Sequence, residues 1–116
     1  MKRKDDPRHK NRQKKVQLLF AHSFHTQDYP EISSIIKKLS KIDPLIKKCA
    51  PDWPLDQINK VDLAILRLAT YELLDSSQPQ KVIIDEAVEL AKELGSDSSP
   101  KFVNGVLGSV VDLLKK

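Results

Sequence analysis

The 116-residue sequence contains one cysteine, three glycines and few aromatic side chains, which make up 5% of the chain. A lone Cys49 excludes an internal disulfide and a cysteine-based zinc site, and it indicates a reducing compartment. The low glycine and aromatic content excludes a β-propeller and a collagen-like chain. No apolar run approaches the roughly 20 residues of a membrane-spanning helix, and the basic N-terminus lacks the apolar stretch of a secretory signal. We therefore expect a cytoplasmic protein of one domain, residues 1–116, that contacts no membrane.

Positive charge is concentrated at the start of the chain. Residues 1–15 contain eight basic and two acidic side chains, a net charge of +6, whereas the other 101 residues contain 12 basic and 14 acidic ones, a net charge of −2. A basic head on a mildly acidic body is typical of proteins that bind a polyanion, most often a nucleic acid. A solvated tail would give the same charge pattern, and we expect residues 1–6 to form a disordered basic leader.

Apolar residues recur at helical spacing through nearly the whole chain, and no alternating run is bounded by hairpin turns. We predict a first helix over about residues 7–25, a second along the apolar stripe from Ile32 to Ile42, a short helix capped by Asp43, and an apolar central helix over about 55–75. Two more helices follow, over about 80–94 and from Pro100 onwards. The predicted fold class is all-α, a compact bundle of five to six helices.

Three patterns predict how these helices meet solvent and each other. The apolar stripe of the first helix begins only at Val16, so we expect its first two turns to project into water as a basic helix end. Gly105 and Gly108 interrupt a helical stripe at a cost of about 1 kcal/mol each, which indicates the close approach of a neighbouring helix, a ligand or a partner. The acidic residues of the helix over about 80–94 are expected on a solvated face: Asp85, Glu86, Glu89 and Glu93.

The sequence offers little catalytic or metal-binding chemistry. His22 and His25 lie three residues apart on one predicted helix, but no third ligand stands at a recognisable spacing, so we expect no metal. Cys49 lies on an apolar face and is expected in the core. No glycine-rich phosphate loop and no serine-nucleophile motif is present. The pattern favours a protein that is not an enzyme and that needs no cofactor.

Three segments match motifs of one protein family. Residues 81–107 contain Lys-Val-Ile-Ile-Asp-Glu-Ala-Val-Glu-Leu-Ala-Lys-Glu-Leu-Gly and then Ser-Pro-Lys-Phe-Val-Asn-Gly-Val-Leu, which is similar to a C-terminal family signature. Residues 61–73 resemble the central helix of the same family, and residues 16–20, after a run of basic side chains, resemble its basic first helix. The family is NusB, the bacterial transcription antitermination factors, and the chain resembles it over most of its length.

The resemblance implies an all-α bundle of two packed helical subdomains that binds RNA without catalysis. Members recognise the boxA element of ribosomal RNA leaders as a heterodimer with the ribosomal protein NusE, and they join the RNA polymerase antitermination complex. Asp62 matches an acidic position associated with NusE. The matching RNA-binding positions lie in the first helix and at the start of the signature, which are close together in the family fold: Arg8, His9, Lys10, Arg12, Lys15, Phe20, Lys101, Phe102 and Asn104.

The chain departs from the family pattern in its basic head and in mid-chain. His9 and Lys10 replace family arginines, and lysine keeps the charge but loses the two-pronged hydrogen bonding of a guanidinium. Gly108 stands where an aspartate near the RNA surface is common. The segment between Phe20 and Trp53 is shorter than in typical members, which removes most of one mid-chain helix.

Two other interpretations remain open beside RNA binding. One is a helical protein–protein adaptor in ribosome biogenesis that never contacts RNA. The other is an enzyme fragment, because the same fold occurs as the N-terminal domain of rRNA cytosine methyltransferases. No glycine-rich cofactor loop is present and nothing follows Lys116 here, which argues against the enzyme. Family members occur as monomers and as homodimers, and the sequence leaves both states open.

Overall fold

The chain folds into helices joined by short loops. The computed structural model describes residues 6–115, which form six α-helices and two single-turn 3-10 helices and contain no strand. The predicted all-α bundle is confirmed. The α-helices are α1 (Pro7–His22), α2 (Ser33–Lys37), α3 (Leu39–Cys49), α4 (Lys60–Asp75), α5 (Gln80–Leu94) and α6 (Ser99–Leu114), and the 3-10 helices are Pro30–Ile32 and Leu55–Gln57.

Helix α4 lies at the centre of the bundle because it is apolar on most of its surface. Its N-terminus is capped by Asn59, whose side-chain oxygen accepts hydrogen bonds from the backbone N–H groups of Val61 and Asp62 at 2.8 and 3.3 Å. Half of its 16 residues are buried, and it packs against α1, α3, α5 and α6. A capped helix that is apolar on most sides suits a central position.

One apolar core joins all six helices. The radius of gyration is 13.0 Å, close to the value of about 13 Å for a compact domain of this size. Cys49, predicted in the core, is half-buried and packs against it. The largest side chains with almost no exposure come from every helix: Leu19, Ile32, Ile35, Ile42, Ile46, Ile65, Leu66, Leu90 and Leu107.

The middle of the chain differs from the prediction. Asp43 and Pro44 lie inside α3, because the break between helices comes earlier, at Lys38, where φ is −105° and ψ is 7°. Asp43 instead accepts two hydrogen bonds from Arg67 of α4, from Nε to Oδ1 at 3.0 Å and from Nη2 to Oδ2 at 2.9 Å. A two-pronged pair of this kind fixes geometry as well as contributing energy. Asp43 therefore ties α3 to α4 and caps no helix.

Other predicted details also change. Helix α1 ends at His22, and α4 begins at Lys60, after a separate 3-10 turn. An added Cβ at Gly105 or Gly108 would meet no atom within 4 Å, so the expected close approach of a neighbouring helix is wrong. The predicted leader lies outside the described residues except for Asp6, which is the N-cap of α1.

Candidate nucleic-acid interface

The first two turns of α1 are held by a cap and by one polar face. The Asp6 carboxylate accepts a hydrogen bond from the backbone N–H of Arg8 at 2.8 Å, and this bond holds the pKa of Asp6 below its usual 3.8. His9 and Arg12 precede Val16 by seven and four residues, so they continue its buried face towards the N-terminus. His9 is 2% exposed and Arg12 is 8% exposed. This face of α1 is turned towards α4 and α5.

The His9 imidazole bridges two carboxylates of α5. Its Nδ1 lies 2.9 Å from Oε1 of Glu86, and its Nε2 lies 2.7 Å from Oε1 of Glu93. Because a neutral imidazole donates from one nitrogen alone, hydrogen bonds to two ionised carboxylates require a proton on both nitrogens. Burial lowers the pKa of His9, but the hydrogen bonds with Glu86 and Glu93 outweigh burial and raise the pKa above its usual 6.5. The geometry therefore favours an imidazolium.

Arg12 connects α1 to α4 and to the loop that follows it. Its Nε donates to both carboxylate oxygens of Glu72, at 3.2 and 3.0 Å, and its Nη2 donates to Oε1 of Glu72 at 2.7 Å. Nη2 also donates to Oε1 of Gln78 at 2.6 Å, and Nη1 lies 3.5 Å from Oε1 of Glu86. Charge-assisted bonds of this number hold a buried guanidinium in one orientation. We call these six side chains the tether: His9, Arg12, Glu72, Gln78, Glu86 and Glu93.

The expected basic helix end is only partly exposed. Arg8 and Lys10 face water, with the side chain of Arg8 76% exposed, and Lys15 is half-buried. His9 and Arg12 are buried instead, because carboxylates of α4 and α5 pair with them. The predicted water-facing position is therefore wrong for these two residues. The solvated acidic face is wrong for Glu86, which is 5% exposed.

Two open clefts border the exposed cations at the start of α1. The first, of about 420 Å³, is lined by Arg8 and the edge of Arg12 on one side and by Val82 and Asp85 of α5 on the other. The second, of about 320 Å³, lies between α1 and the end of α4. Its lining includes three cations (Arg8, Arg12 and Lys15), two carboxylates (Glu72 and Asp75) and the aromatic ring of Tyr71. Cations beside an aromatic ring suit a phosphate and its base.

Two phenylalanines form an exposed aromatic edge on the last turns of α1 and beyond. Phe20 is 36% exposed and Phe24 is 59% exposed, and their ring centroids lie 4.9 Å apart in an edge-to-face arrangement. Exposed aromatic rings of this kind offer faces on which single-stranded bases stack. Phe20 was predicted at an RNA-binding position, whereas Phe24 was not singled out.

A second pocket forms around Asp62, near the start of α4. Its walls, which enclose about 380 Å³, include Trp53 and Phe102. Asp62 is only 6% exposed, and its Oδ1 has no hydrogen-bond partner among the described residues. Burial raises the pKa of this carboxyl, and a hydrogen bond with Ser99 partly offsets that rise. We call this the Asp62 pocket; its lining residues are Trp53, Gln57, Ile58, Asn59, Asp62, Ser96, Ser98 and Phe102.

The predicted binding residues of α6 divide between solvent and the Asp62 pocket. Lys101 and Asn104 are exposed, and Phe102 is half-buried in the wall of that pocket. Within residues 6–115 no hydrogen bond or ion pair joins α6 to α1. The structure therefore groups Phe102 with Asp62 and Trp53, not with the cations of α1.

The described residues hold no group of three or more histidine, cysteine or acidic side chains arranged to bind a metal. His22 is half-buried on α1, and His25 is exposed beyond its end. No helix between residues 6 and 115 is both long enough and apolar enough to cross a bilayer.

Comparison with known proteins places these features in a family. The NusB family model matches residues 30–112. The transcription antitermination protein NusB of Chloroflexus aggregans is 55% identical over 75 residues, which are 62% of this chain and 50% of that protein. NusB of Lachnoclostridium phytofermentans is 46% identical over 89 residues, which are 74% of this chain and 67% of that protein. The chain belongs to the NusB family.

A solved structure extends the likeness to most of the fold. The structure of T. maritima NusB matches this chain with a TM-score of 0.82 at 36% identity, and the match covers 92% of each chain. The chain spans about half of the length of the Chloroflexus NusB. The NusB family match begins at residue 30, so it includes Asp62 and Phe102 but not α1. The structural match leaves only 8% of the chain uncovered, which is fewer residues than α1 has, so the likeness of fold includes at least part of α1.

Sequence reasoning missed the partners of the tether and one wall of the Asp62 pocket. Glu72, Gln78 and Trp53 are not among the predicted site residues. A signal for the tether was present, because His9 and Glu86 each lie on the extrapolated apolar stripe of their helix. No comparable signal marks Trp53, which shares the pocket with Phe102 from a distant part of the chain.

Proposed function

We propose that this chain is a non-catalytic transcription antitermination factor that binds boxA-type leader RNA of ribosomal RNA transcripts together with NusE. The observation that carries the proposal is the set of exposed cations at the start of α1, beside two open clefts. Arg8 and Lys10 face water there, and Lys15 lines the second cleft. Arg8 makes one exposed ion pair, from Nη2 to Oδ2 of Asp6 at 3.4 Å. Exposed cations that can reach phosphates supply most of the affinity of a nucleic-acid interface.

The tether has a different task in this proposal. His9 and Arg12 are engaged with carboxylates, so they orient α1 rather than contact phosphates directly. An ordered helix end presents its cations without a further loss of backbone conformational entropy on binding. Arg12 lines both clefts, so the side chain that orients α1 also lies next to the exposed cations.

Base contacts in the proposal come from exposed aromatic side chains. Phe20 and Phe24 provide a stacking edge on α1, and Tyr71 lines the second cleft. Single-stranded RNA is read through bases that stack on aromatic rings and through hydrogen bonds to base edges. Lys101 and Asn104 are exposed on α6, where they add a charge and an amide to the surface offered to RNA.

The Asp62 pocket supports a protein partner. A buried carboxylate with an unpartnered oxygen gains free energy when a donor reaches it. The pocket walls carry Trp53 and Phe102, and aromatic rings attract cationic groups. We therefore assign this pocket to a lysine or arginine side chain of NusE. The complex would then join RNA polymerase in the cytoplasm.

The test is RNA binding with and without NusE. We expect boxA-like RNA to bind more tightly than scrambled RNA, with an affinity that falls as salt rises; three phosphate contacts would give a slope of about −2 in log K against log salt. The Arg8→Glu/Lys10→Glu variant should lose RNA binding and keep its helical circular dichroism. The matched control reverses Lys47 and Lys48, two exposed cations on α3.

The adaptor interpretation predicts a different result. An adaptor would bind NusE through the Asp62 pocket and show no salt-dependent interaction with boxA-like RNA, either alone or in the complex. The proposed RNA surface is wrong if the Arg8→Glu/Lys10→Glu variant binds RNA as tightly as the unchanged chain.

A further inference from the structure

Histidine at position 9 makes the tether sensitive to pH. Of its charged members, only His9 has an ordinary pKa close to neutrality; the others are an arginine and three glutamates. Among residues 6–115, the groups facing His9 are Glu86 and Glu93 of α5 and its neighbour Arg12 on α1, with Glu72 of α4 behind Arg12. The adjoining cleft adds Asp6, Arg8 and Asp85.

Loss of one proton disrupts this arrangement directly. A neutral imidazole leaves one ring nitrogen facing a carboxylate oxygen at less than 3 Å with no proton between them. The five charged side chains of the tether also change from a net charge of −1 to −2 in a site where His9 is 2% exposed and Glu86 is 5% exposed. Unbalanced charge is costly where water is excluded.

We propose that His9 is a pH-sensitive tether residue: its imidazolium holds the first turns of α1 against α5, and deprotonation releases them and weakens RNA binding. The RNA part rests on the proposed function, whereas the release of α1 does not. His9 is a positioning residue in this account, because it acts through the placement of Arg8 and Lys10. The proposal thus names a regulation of the RNA site by proton concentration.

The direction of the pH effect follows from linkage. The folded protein raises the pKa of His9 above the usual 6.5, so protonation favours the packed state. The stabilisation is fully present below the unfolded pKa and is lost as the pH rises through the elevated folded pKa. RNA affinity should therefore be highest in mild acid and fall towards alkaline pH.

The first measurement uses the free protein. Nuclear magnetic resonance follows the His9 ring signals and the protection factors of the α1 amides, corrected for intrinsic exchange, from about pH 5.5 to about pH 9. We expect protection of the amides of residues 10–13 to fall with the same midpoint as the ring titration. The amides of α4 should keep their protection. Protection of α1 that does not change across this range overturns the proposal.

The second measurement is the affinity for boxA-like RNA over the same range at constant ionic strength. We expect affinity to fall by up to about tenfold for each unit by which packing elevates the pKa of His9. The His9→Arg variant keeps a permanent cation, so its profile should be flat, whereas the matched control His25→Gln should follow the unchanged chain. A fall that persists in His9→Arg, or no fall in the unchanged chain, overturns the coupling.

The two measurements separate this inference from the proposed function. If RNA fails to bind at every pH while the α1 amides still lose protection with the His9 titration, the proposed function fails and the release of α1 stands. If RNA binds with a flat pH profile, the proposed function stands and the regulation is wrong. Folding of His9→Arg is checked by its denaturation midpoint, and the unchanged chain decides the outcome if that variant is unstable.

Discussion

The tether and the Asp62 pocket both bury charge, but they differ in how that charge is satisfied. In the tether each cation meets carboxylates: Arg12 donates four hydrogen bonds, three of them to Glu72, and His9 contacts two glutamates. In the Asp62 pocket a carboxylate is 6% exposed and one of its oxygens has no partner among the described residues. The first arrangement is complete within the chain, whereas the second needs a donor from elsewhere.

This difference predicts which substitutions change the stability of the fold and which change the binding of a partner. Breaking a complete buried network leaves unpaired charges behind, so it should destabilise the fold strongly. Removing an unpartnered buried charge should stabilise the fold and weaken the binding of whatever completes it. Four substitutions test this comparison, each measured first as a free energy of unfolding in urea.

The largest effect is expected for Arg12→Ala. The substitution leaves the carboxylates of Glu72 and Glu86 without the guanidinium that faces them, at side-chain exposures of 14% and 7%. Loss of one partner of a buried ion pair costs about 3–5 kcal/mol. Urea denaturation should show a loss of this size. The matched control is Arg8→Ala on the same helix, which should change stability by less than about 0.5 kcal/mol because Arg8 is exposed. Equal losses in the two variants would contradict the proposed difference.

The second effect, expected to be of opposite sign, is for Asp62→Asn. Burial raises the pKa of Asp62, so its ionisation destabilises the folded state progressively as the pH rises from the usual 3.8 through the elevated folded value. Replacing the carboxyl with a neutral amide should add about 1 kcal/mol of stability near neutral pH. It should also flatten the pH dependence of stability in that window and weaken binding of NusE.

Asp97→Asn is the control for this change, because Asp97 is an exposed acid in the loop before α6. It should leave both stability and NusE binding unchanged. A loss of stability in Asp62→Asn would show that Asp62 is satisfied within the chain, and the pocket would then lose its assigned role.

A smaller loss, about 1 kcal/mol, is expected for Asn59→Ala at the edge of the Asp62 pocket. The substitution removes the side-chain oxygen that caps α4 by accepting from two backbone N–H groups. Asn59→Asp keeps an acceptor there and should retain most of the stability. A loss as large as that of Arg12→Ala would mean that the pocket is as important to the fold as the tether is.

The smallest effect is expected for Lys38→Ala, which removes an ion pair with Asp75. Its 2.7 Å distance equals that between Arg12 and Glu72, but both side chains are at least one-third exposed. Exposed pairs contribute about 0–1 kcal/mol, so stability should change by at most about 0.5 kcal/mol and less at high salt. Equal losses from Lys38→Ala and Arg12→Ala would mean that distance, not burial, determines the value of an ion pair.

The sequence could predict the fold because apolar spacing marks buried faces directly. The predicted helix over about 80–94 agrees with α5, and the central position predicted for 55–75 belongs to α4. The same signal fails where a buried face is polar. His9 and Arg12 continue the stripe of Val16, but their charge predicted solvent, because their carboxylate partners lie at least 60 residues away in the sequence.

The sequence therefore predicted which types of residue form the candidate site, but only part of their arrangement in space. Arg8 and Lys10 are exposed as expected. Partner binding by Asp62 stays a prediction, and the apolar spacing of the sequence gives no indication of the pocket around it. Asp43 followed a helix-start pattern with Pro44, yet Arg67 of α4 engages it instead. In both places the decisive contact joins segments that are far apart in the sequence, and local spacing carries no information about it.

The sole tryptophan gives the Asp62 pocket an optical property of its own. Trp53 is 51% exposed and stands in the wall beside the buried carboxylate. Its emission maximum would shift towards shorter wavelength when a partner excludes water from the indole. RNA that binds at α1 would leave the emission maximum unchanged. A shift of the emission to shorter wavelength therefore reports a partner in the Asp62 pocket without any added dye.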